Sequence, residues 1–144
     1  MKRHEALAPL SREHHSTLIL AQLLKKGAPV YKGLPDTDEA KAVYAEQQFK
    51  ENIERHFQDE ERVLQKVKNC SEAISSLSME IINEHRQLAE LFLSLNKTTG
   101  LADVLDKLGR MLEAHIRKEE RALFPLIQEH CSKEELQQVH VLLH

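Results

Sequence analysis

The chain has 144 residues, a net charge of −3, 41% apolar residues and 30% charged residues. That length suits one domain, spanning residues 1–144, with a sizeable core, and the mild acidity provides no basic surface for nucleic acid or for an anionic membrane. Four glycines, four prolines and no tryptophan, set against an abundance of Leu, Glu, Lys, Gln and Ala, favour helix.

The first stretch, MKRHEALAPLSREHH, lacks the apolar centre of a secretory signal. The longest apolar run, Leu18 to Leu24, is interrupted by Gln22 and too short to cross a bilayer. A first helical segment is expected from about Pro9 to Lys26. GAPVYKGLPD (Gly27 to Asp36) must then be loop, because its two glycines and two prolines break a helix. A second segment runs from about Thr37 to Lys68, opened by Asp36 and Glu39 in a D-x-x-E start. Asn69 to Ser71 break it, and Asn69 with Glu72 opens a third segment that reaches about Lys97. Thr98, Thr99 and Gly100 end the third. A fourth runs from Leu101 to about His130, with Pro125 expected to bend it. Ser132 with Glu135 opens a short amphipathic tail helix. The links after the second and third segments are short, so neighbours should be antiparallel. The expected fold is all-α, an up-down antiparallel four-helix bundle with a short C-terminal helix.

Cys70 and Cys131 are far apart in sequence and form no C-x-x-C motif. Their usage fits a reduced, cytoplasmic setting and says nothing about a redox pairing.

The inward stripes follow helical spacing. In the second segment they are Ala42, Ala45, Phe49, Ile53, His56, Glu60, Val63 and Val67. In the third they are Ile74, Leu77, Ile81, His85, Leu88, Phe92 and Leu95. In the fourth they are Leu101, Val104, Leu108, Met111, Leu112, His115, Glu119, Ala122 and Leu126. Each line is interrupted in its middle by His, or by His and Glu four residues on. HFQDEERVL (His56 to Leu64) and HIRKEERALFP (His115 to Pro125) repeat one phrase at an offset of 59 residues. An unpaired carboxylate in a core costs several kcal/mol, and a metal ion is the partner that imidazoles and carboxylates share.

The first segment offers His14 and His15. Its apolar direction lies roughly 75° from His14 and nearly opposite His15 at about 100° per residue, which favours His14 and leaves His15 as the alternative. The order along the chain is then His14, His56-x-x-x-Glu60, His85, His115-x-x-x-Glu119: a half-site given twice, one half for each metal.

These residues resemble the hemerythrin-like, or HHE cation-binding, domains. The resemblance runs from PLSREHH to RALFPLI, and the two H-x-x-x-E-E phrases are its most specific part. It implies a bundle holding two iron ions bridged by an oxo or hydroxo group and by Glu60 and Glu119, with His14, His56, His85 and His115 completing the ligand set. Zinc or manganese suits the same donors. The oxygen-carrying members have a further histidine four residues from the one on the third helix, whereas this chain has Ala89 and Ile81 at those positions. The four-His, two-Glu set is more similar to the iron-centre repair branch. The implied ligand is oxygen, nitric oxide or peroxide, to be bound or sensed, or else the iron itself is the cargo. The ferritin-like alternative needs E-x-x-H, but Ile53, Ile82 and Leu112 stand three residues before the histidines.

Away from the stripes, Glu61 and Glu120 lie about 140° round from their own helix's histidine; with Arg62 and Arg121 they are expected as solvated charges, as are Glu13 and Glu84. His4, His130, His140 and His144 are expected at the surface, and Tyr44 and Phe57 in packing. The competing functional class is a helical interaction module, with a structural metal or none, whose tail helix docks on a partner.

Overall fold

The computed structural model describes residues 2–144. Helix α1 (Ala8–Leu24) is followed by a loop and by α2 (Asp38–Gln48). A π-helical turn, Phe49–Ile53, carries α2 into α3 (Glu54–Val67) without a break. Helix α4 (Glu72–Ser94) ends in a 3-10 turn, Leu95–Lys97. Helix α5 (Leu101–Lys118) passes through a second π-helical turn, Glu119–Leu123, into α6 (Phe124–His130), and α7 (Lys133–Leu143) closes the chain. Among the described residues there is no strand, and no helix is long and apolar enough to cross a membrane. The four long rods α1, α2–α3, α4 and α5–α6 form the expected all-α bundle, with α7 as the added C-terminal helix.

Two helix starts lie closer to the first turn than the spacing indicated. Thr37, not Asp36, caps α2, its hydroxyl accepting from the Ala40 N–H at 3.2 Å. Ser71, not Asn69, caps α4, accepting from the Ile74 N–H at 3.1 Å. Asn69 is not free to cap, because the next residue, Cys70, still donates its N–H to Val67 at 2.9 Å and belongs to the end of α3. Ser132 and Glu135 form the reciprocal capping box of α7 as read.

The core is two apolar clusters with a polar layer between them. One contains Leu20 to Leu24, Ala42 to Phe57, Leu88 to Leu95 and Leu105 to Ile116. The other contains Ala6 to Leu10, Val63 to Val67, Ile74 to Ile81 and Leu123 to Val139. Each long rod crosses from one cluster to the other, and the six His and Glu of the stripes fall at the crossing. Helix α7 puts Leu136 and Val139 into the second cluster, so its apolar face packs on its own chain.

The second π turn re-phases the fourth rod. Ala122 and Leu126 were expected inward, but the buried positions are Leu123, Phe124 and Ile127. A π turn holds one residue more than an α turn, and the stripe slips by one. In the first rod Ile19 is 46% exposed and Thr17 is buried instead. In α5 the facing residues Leu105 and Ile116 are buried ahead of Leu101, Val104 and Met111.

Helices α1 and α5 pack tightly at Gly109, where an added Cβ would stand 2.6 Å from the Ala21 carbonyl oxygen. That oxygen belongs to backbone, so it cannot swing aside. Gly109→Ala should therefore destabilise the protein by about 1–3 kcal/mol through overpacking, outweighing the roughly 1 kcal/mol that alanine gains over glycine in a helix. Denaturant unfolding of both forms measures it, and a midpoint raised by the substitution would contradict the close approach.

Candidate metal centre

The layer is built from residues that the helices carry into the core. His14 comes from α1, His56 and Glu60 from one face of α3, His85 from α4, and His115 with Glu119 from the end of α5. All six are buried, Glu60 at 2% and Glu119 at 0% exposure. His15, one residue from His14, is exposed. The side chains fall into two overlapping groups. His14, His56, Glu60 and Glu119 each offer a donor atom within 4.8 Å of the others, and so do Glu60, His85, His115 and Glu119. The two glutamates belong to both.

The imidazoles aim their Nε2 atoms at these carboxylates. His14 Nε2 lies 3.2 Å from Glu60 and 3.3 Å from Glu119. His56 and His85 Nε2 lie 3.1 and 3.0 Å from Glu60, and His115 Nε2 lies 3.1 Å from Glu119. Close approach is not the same as a hydrogen bond here. His56 Nε2, His115 Nε2 and both Glu119 carboxylate oxygens are buried without a hydrogen-bond partner. Orphaned polar atoms in a core are costly. Four of them converging between two apolar clusters suit a cation, and the mixed imidazole and carboxylate donors suit a transition metal.

The opposite ring nitrogens are held as well. His14 Nδ1 donates to Glu120 at 2.6 Å and His56 Nδ1 to Glu13 at 2.7 Å. His85 Nδ1 donates to Glu61 at 2.8 Å and His115 Nδ1 to Glu84 at 2.8 Å. Such outer carboxylates fix the tautomer that leaves Nε2 free for a metal and raise its basicity. This corrects the expectation that these four glutamates are merely solvated. Their angle from the histidine of their own helix is large because each serves the histidine of the next one. Glu61 and Glu13 remain 42% and 41% exposed, so carboxylates half in water complete the site. Arg62 and Arg121 are surface residues, as expected, and His4, His130 and His144 are exposed.

The family model for the hemerythrin HHE cation binding domain matches residues 5–127. The chain belongs to this family. Neither a search of curated proteins nor one of solved structures found a match. The buried His/Glu layer, whose donors could hold a metal ion, lies wholly within the matched span, and residues 128–144, which include α7, lie beyond it. Phe57 is more than filler in the layer: the ring stacks on His85 at 4.0 Å with 10° between planes. Phe124 lies parallel to His14 at 5.7 Å.

Electrostatics of the metal-free layer set its proton content. Burial works against charging His14, yet Glu119, Glu120 and Glu60 push its pKa up to about 12. Burial likewise opposes His56 and His115, while Glu60 and Glu13 raise the first to about 9 and Glu119 and Glu84 raise the second to about 10. Burial would also lift Glu60, but the charge of His56 and contacts with Glu119 and His14 hold it well below the usual carboxylate range. Hydrogen bonding to His115 first, and then to Lys118, brings Glu84 down to about 2.

Two outcomes follow. The raised histidines stabilise the metal-free fold below their unperturbed value of 6.5, and that contribution is lost as pH rises through about 9 and 10. A metal must displace the same protons, so its apparent affinity should rise over that window. Thermal melts with chelator and with metal, from neutral to alkaline pH, should therefore diverge. Glu84→Gln removes the carboxylate behind His115 and should weaken metal binding about 10–100-fold, read by competition with a coloured chelator, while leaving the helical circular dichroism intact.

Proposed function

We propose that the chain holds two iron ions in this layer and uses them to bind a diatomic ligand, oxygen or nitric oxide. The observation that supports it is the doubled donor set: two histidines on each side of a shared pair of carboxylates, with every Nδ1 occupied and Nε2 left to the centre. His14 and His56 would hold one ion, His85 and His115 the other, and Glu60 and Glu119 would bridge them. Zinc or manganese would satisfy the same donors. Iron, when bound, supplies the electrons and the open position for a small ligand.

The chain's own residues do the rest. The apolar clusters above and below keep bulk water from the layer, and the four outer glutamates hold the imidazoles in place. Ala89, one turn after His85, carries no donor. A cavity of about 180 Å³ lined by Phe57, Glu61, His85 and Ala89 lies there, which supports access for a small molecule on that side. Without a further histidine to saturate that side, reaction with oxygen should end in oxidation, not in reversible carriage. We place this activity in the cytoplasm, which suits a chain whose two cysteines are free thiols.

Metal analysis after anaerobic ferrous loading tests the reading first, with two irons per chain expected in the wild type. Glu60→Ala and Glu119→Ala should each lose both, because each removes a donor to both ions. Rapid mixing of the ferrous protein with each gas tests the second half. Oxidation by oxygen and a new absorption with nitric oxide are expected. Iron that is retained but inert to both gases would overturn ligand binding and favour a structural metal in an interaction module. An oxygen spectrum that reverses under vacuum would make the site a carrier.

A further inference from the structure

The chain's two cysteines, 61 positions apart, meet at the end of the bundle away from the loop between α1 and α2. Cys70 lies in the turn just after α3, its N–H donating to Val67 at 2.9 Å, and Cys131 donates its N–H to Ile127 at 3.0 Å at the end of α6. Their sulfur atoms and a carboxylate oxygen of Glu135 lie within 4.8 Å of one another. Both thiols are free. Cys131 is 9% exposed, packed into the second apolar cluster, while Cys70 is only partly buried.

Two chemistries compete for such a trio. A thiolate metal site needs a closed set of donors, normally four. Here Glu135 is already committed, accepting from the Ser132 N–H at 2.7 Å as half of the capping box that starts α7. That leaves a bare pair of sulfurs on two turns, within 4.8 Å of each other, which a disulfide would draw together to about 2.0 Å.

We propose that Cys70 and Cys131 are a reversible redox pair that forms an intrachain disulfide by exchange with a small-molecule disulfide. The Cys70 thiolate attacks one sulfur of the oxidant, forming a mixed disulfide and releasing one thiol. The Cys131 sulfur, losing its proton, then attacks Cys70 Sγ, forms the intrachain bond and expels the second thiol. Two thiols of the protein are oxidised and one small disulfide is reduced to two thiols, so electrons balance. Exposure sets the order, because solvent reaches Cys70 before Cys131. The product ties the turn between α3 and α4 to the residue just before α7. The C-terminal helix is thereby locked to the bundle in the oxidised form and held by packing alone in the reduced form. None of this depends on the metal.

The test incubates the full chain with oxidised glutathione at mildly alkaline pH, since burial raises the pKa of both thiols. Intact mass, thiol count after unfolding and peptide mapping are read. The wild type should lose the mass of two hydrogen atoms and both thiols, with a Cys70–Cys131 cross-linked peptide that a dithiol reductant reverses. Cys131→Ser should stop at a glutathione adduct on Cys70. Cys131→Ala gives the same readout should serine disturb the apolar cluster. Cys70→Ser should leave Cys131 unmodified. Two glutathione adducts on the wild type, a disulfide between chains, or two persistent thiols would each overturn the proposal. Equal modification of Cys131 in Cys70→Ser would overturn the assigned order.

Discussion

Glu60 and Glu119 sit where the bundle has no water to give them. A carboxylate placed between two apolar clusters needs compensation within reach of its oxygens, and the surrounding architecture can be followed outward from that need. The first compensation is the four imidazoles. They in turn are held at the far nitrogen by Glu13, Glu61, Glu84 and Glu120. The last step ends at the surface. Lys118 caps Glu84, and Ser11 and Arg3 donate to Glu120 at 2.8 and 3.1 Å, while Glu13 and Glu61 reach solvent themselves. Charge alternates from centre to surface, so the layer is tolerable without a metal and its donor atoms already converge on a common centre.

The outer glutamates close a ring. Glu13 on α1 serves His56 on α3, Glu61 on α3 serves His85 on α4, Glu84 on α4 serves His115 on α5, and Glu120 past α5 serves His14 on α1. Each glutamate neighbours an inward residue in sequence: Glu13 before His14, Glu61 after Glu60, Glu84 before His85, Glu120 after Glu119. Successive helical residues point about 100° apart, so a neighbour of an inward residue faces the flank of the next helix. In the first and third rods the glutamate precedes the inward residue, and in the second and fourth it follows. Antiparallel rods wind in opposite senses when viewed from one end. Stepping back along one and forward along the next thus turns the same way round the bundle. Up-down topology and two repeated phrases, E-H and H-x-x-x-E-E, are enough to generate the whole ring.

This explains which parts were legible in the sequence. The stripes, the six central residues and the choice of His14 over His15 depend on rotation about one helix axis, and periodicity reports that. The outer glutamates depend on two axes at once. Measured against their own helix they look solvated, and only the position of the next helix shows that they point at its histidine. The signal was there in the adjacency E-H, E-E, E-H, E-E, but reading it required the direction of each rod. The helix caps at Thr37 and Ser71 and the slip from Ala122 to Leu123 turned on single hydrogen bonds and one extra residue in a turn. A hydropathy pattern does not resolve either. The contact of Cys70 with Cys131 comes from packing of chain ends and has no local signature.

The doubled donor set does not make the two halves equivalent, because their walls differ. Phe57 lies flat on His85 and edge-on to His115, with centroids 4.0 and 5.7 Å away. The position related to it by the repeat, 59 residues on, is Ile116, which offers no such ring. On the other half His14 is faced by Phe124, which carries the Arg3 guanidinium over its ring at 5.2 Å. Phe124 is brought there by the second π turn, which begins at Glu119 itself, whereas the first π turn ends three residues before His56. Glu60 and Glu61 do in plain α-helix what Glu119 and Glu120 do at the π turn, so that turn is not needed for the ring. Its effect is on the wall, re-phasing the rod so that Phe124 packs beside His14 and Ile127 fills the cluster below. A small cavity lies against His85 on one side, and a cation–aromatic stack covers His14 on the other. The two halves therefore differ in their walls, although the donor residues themselves are paired.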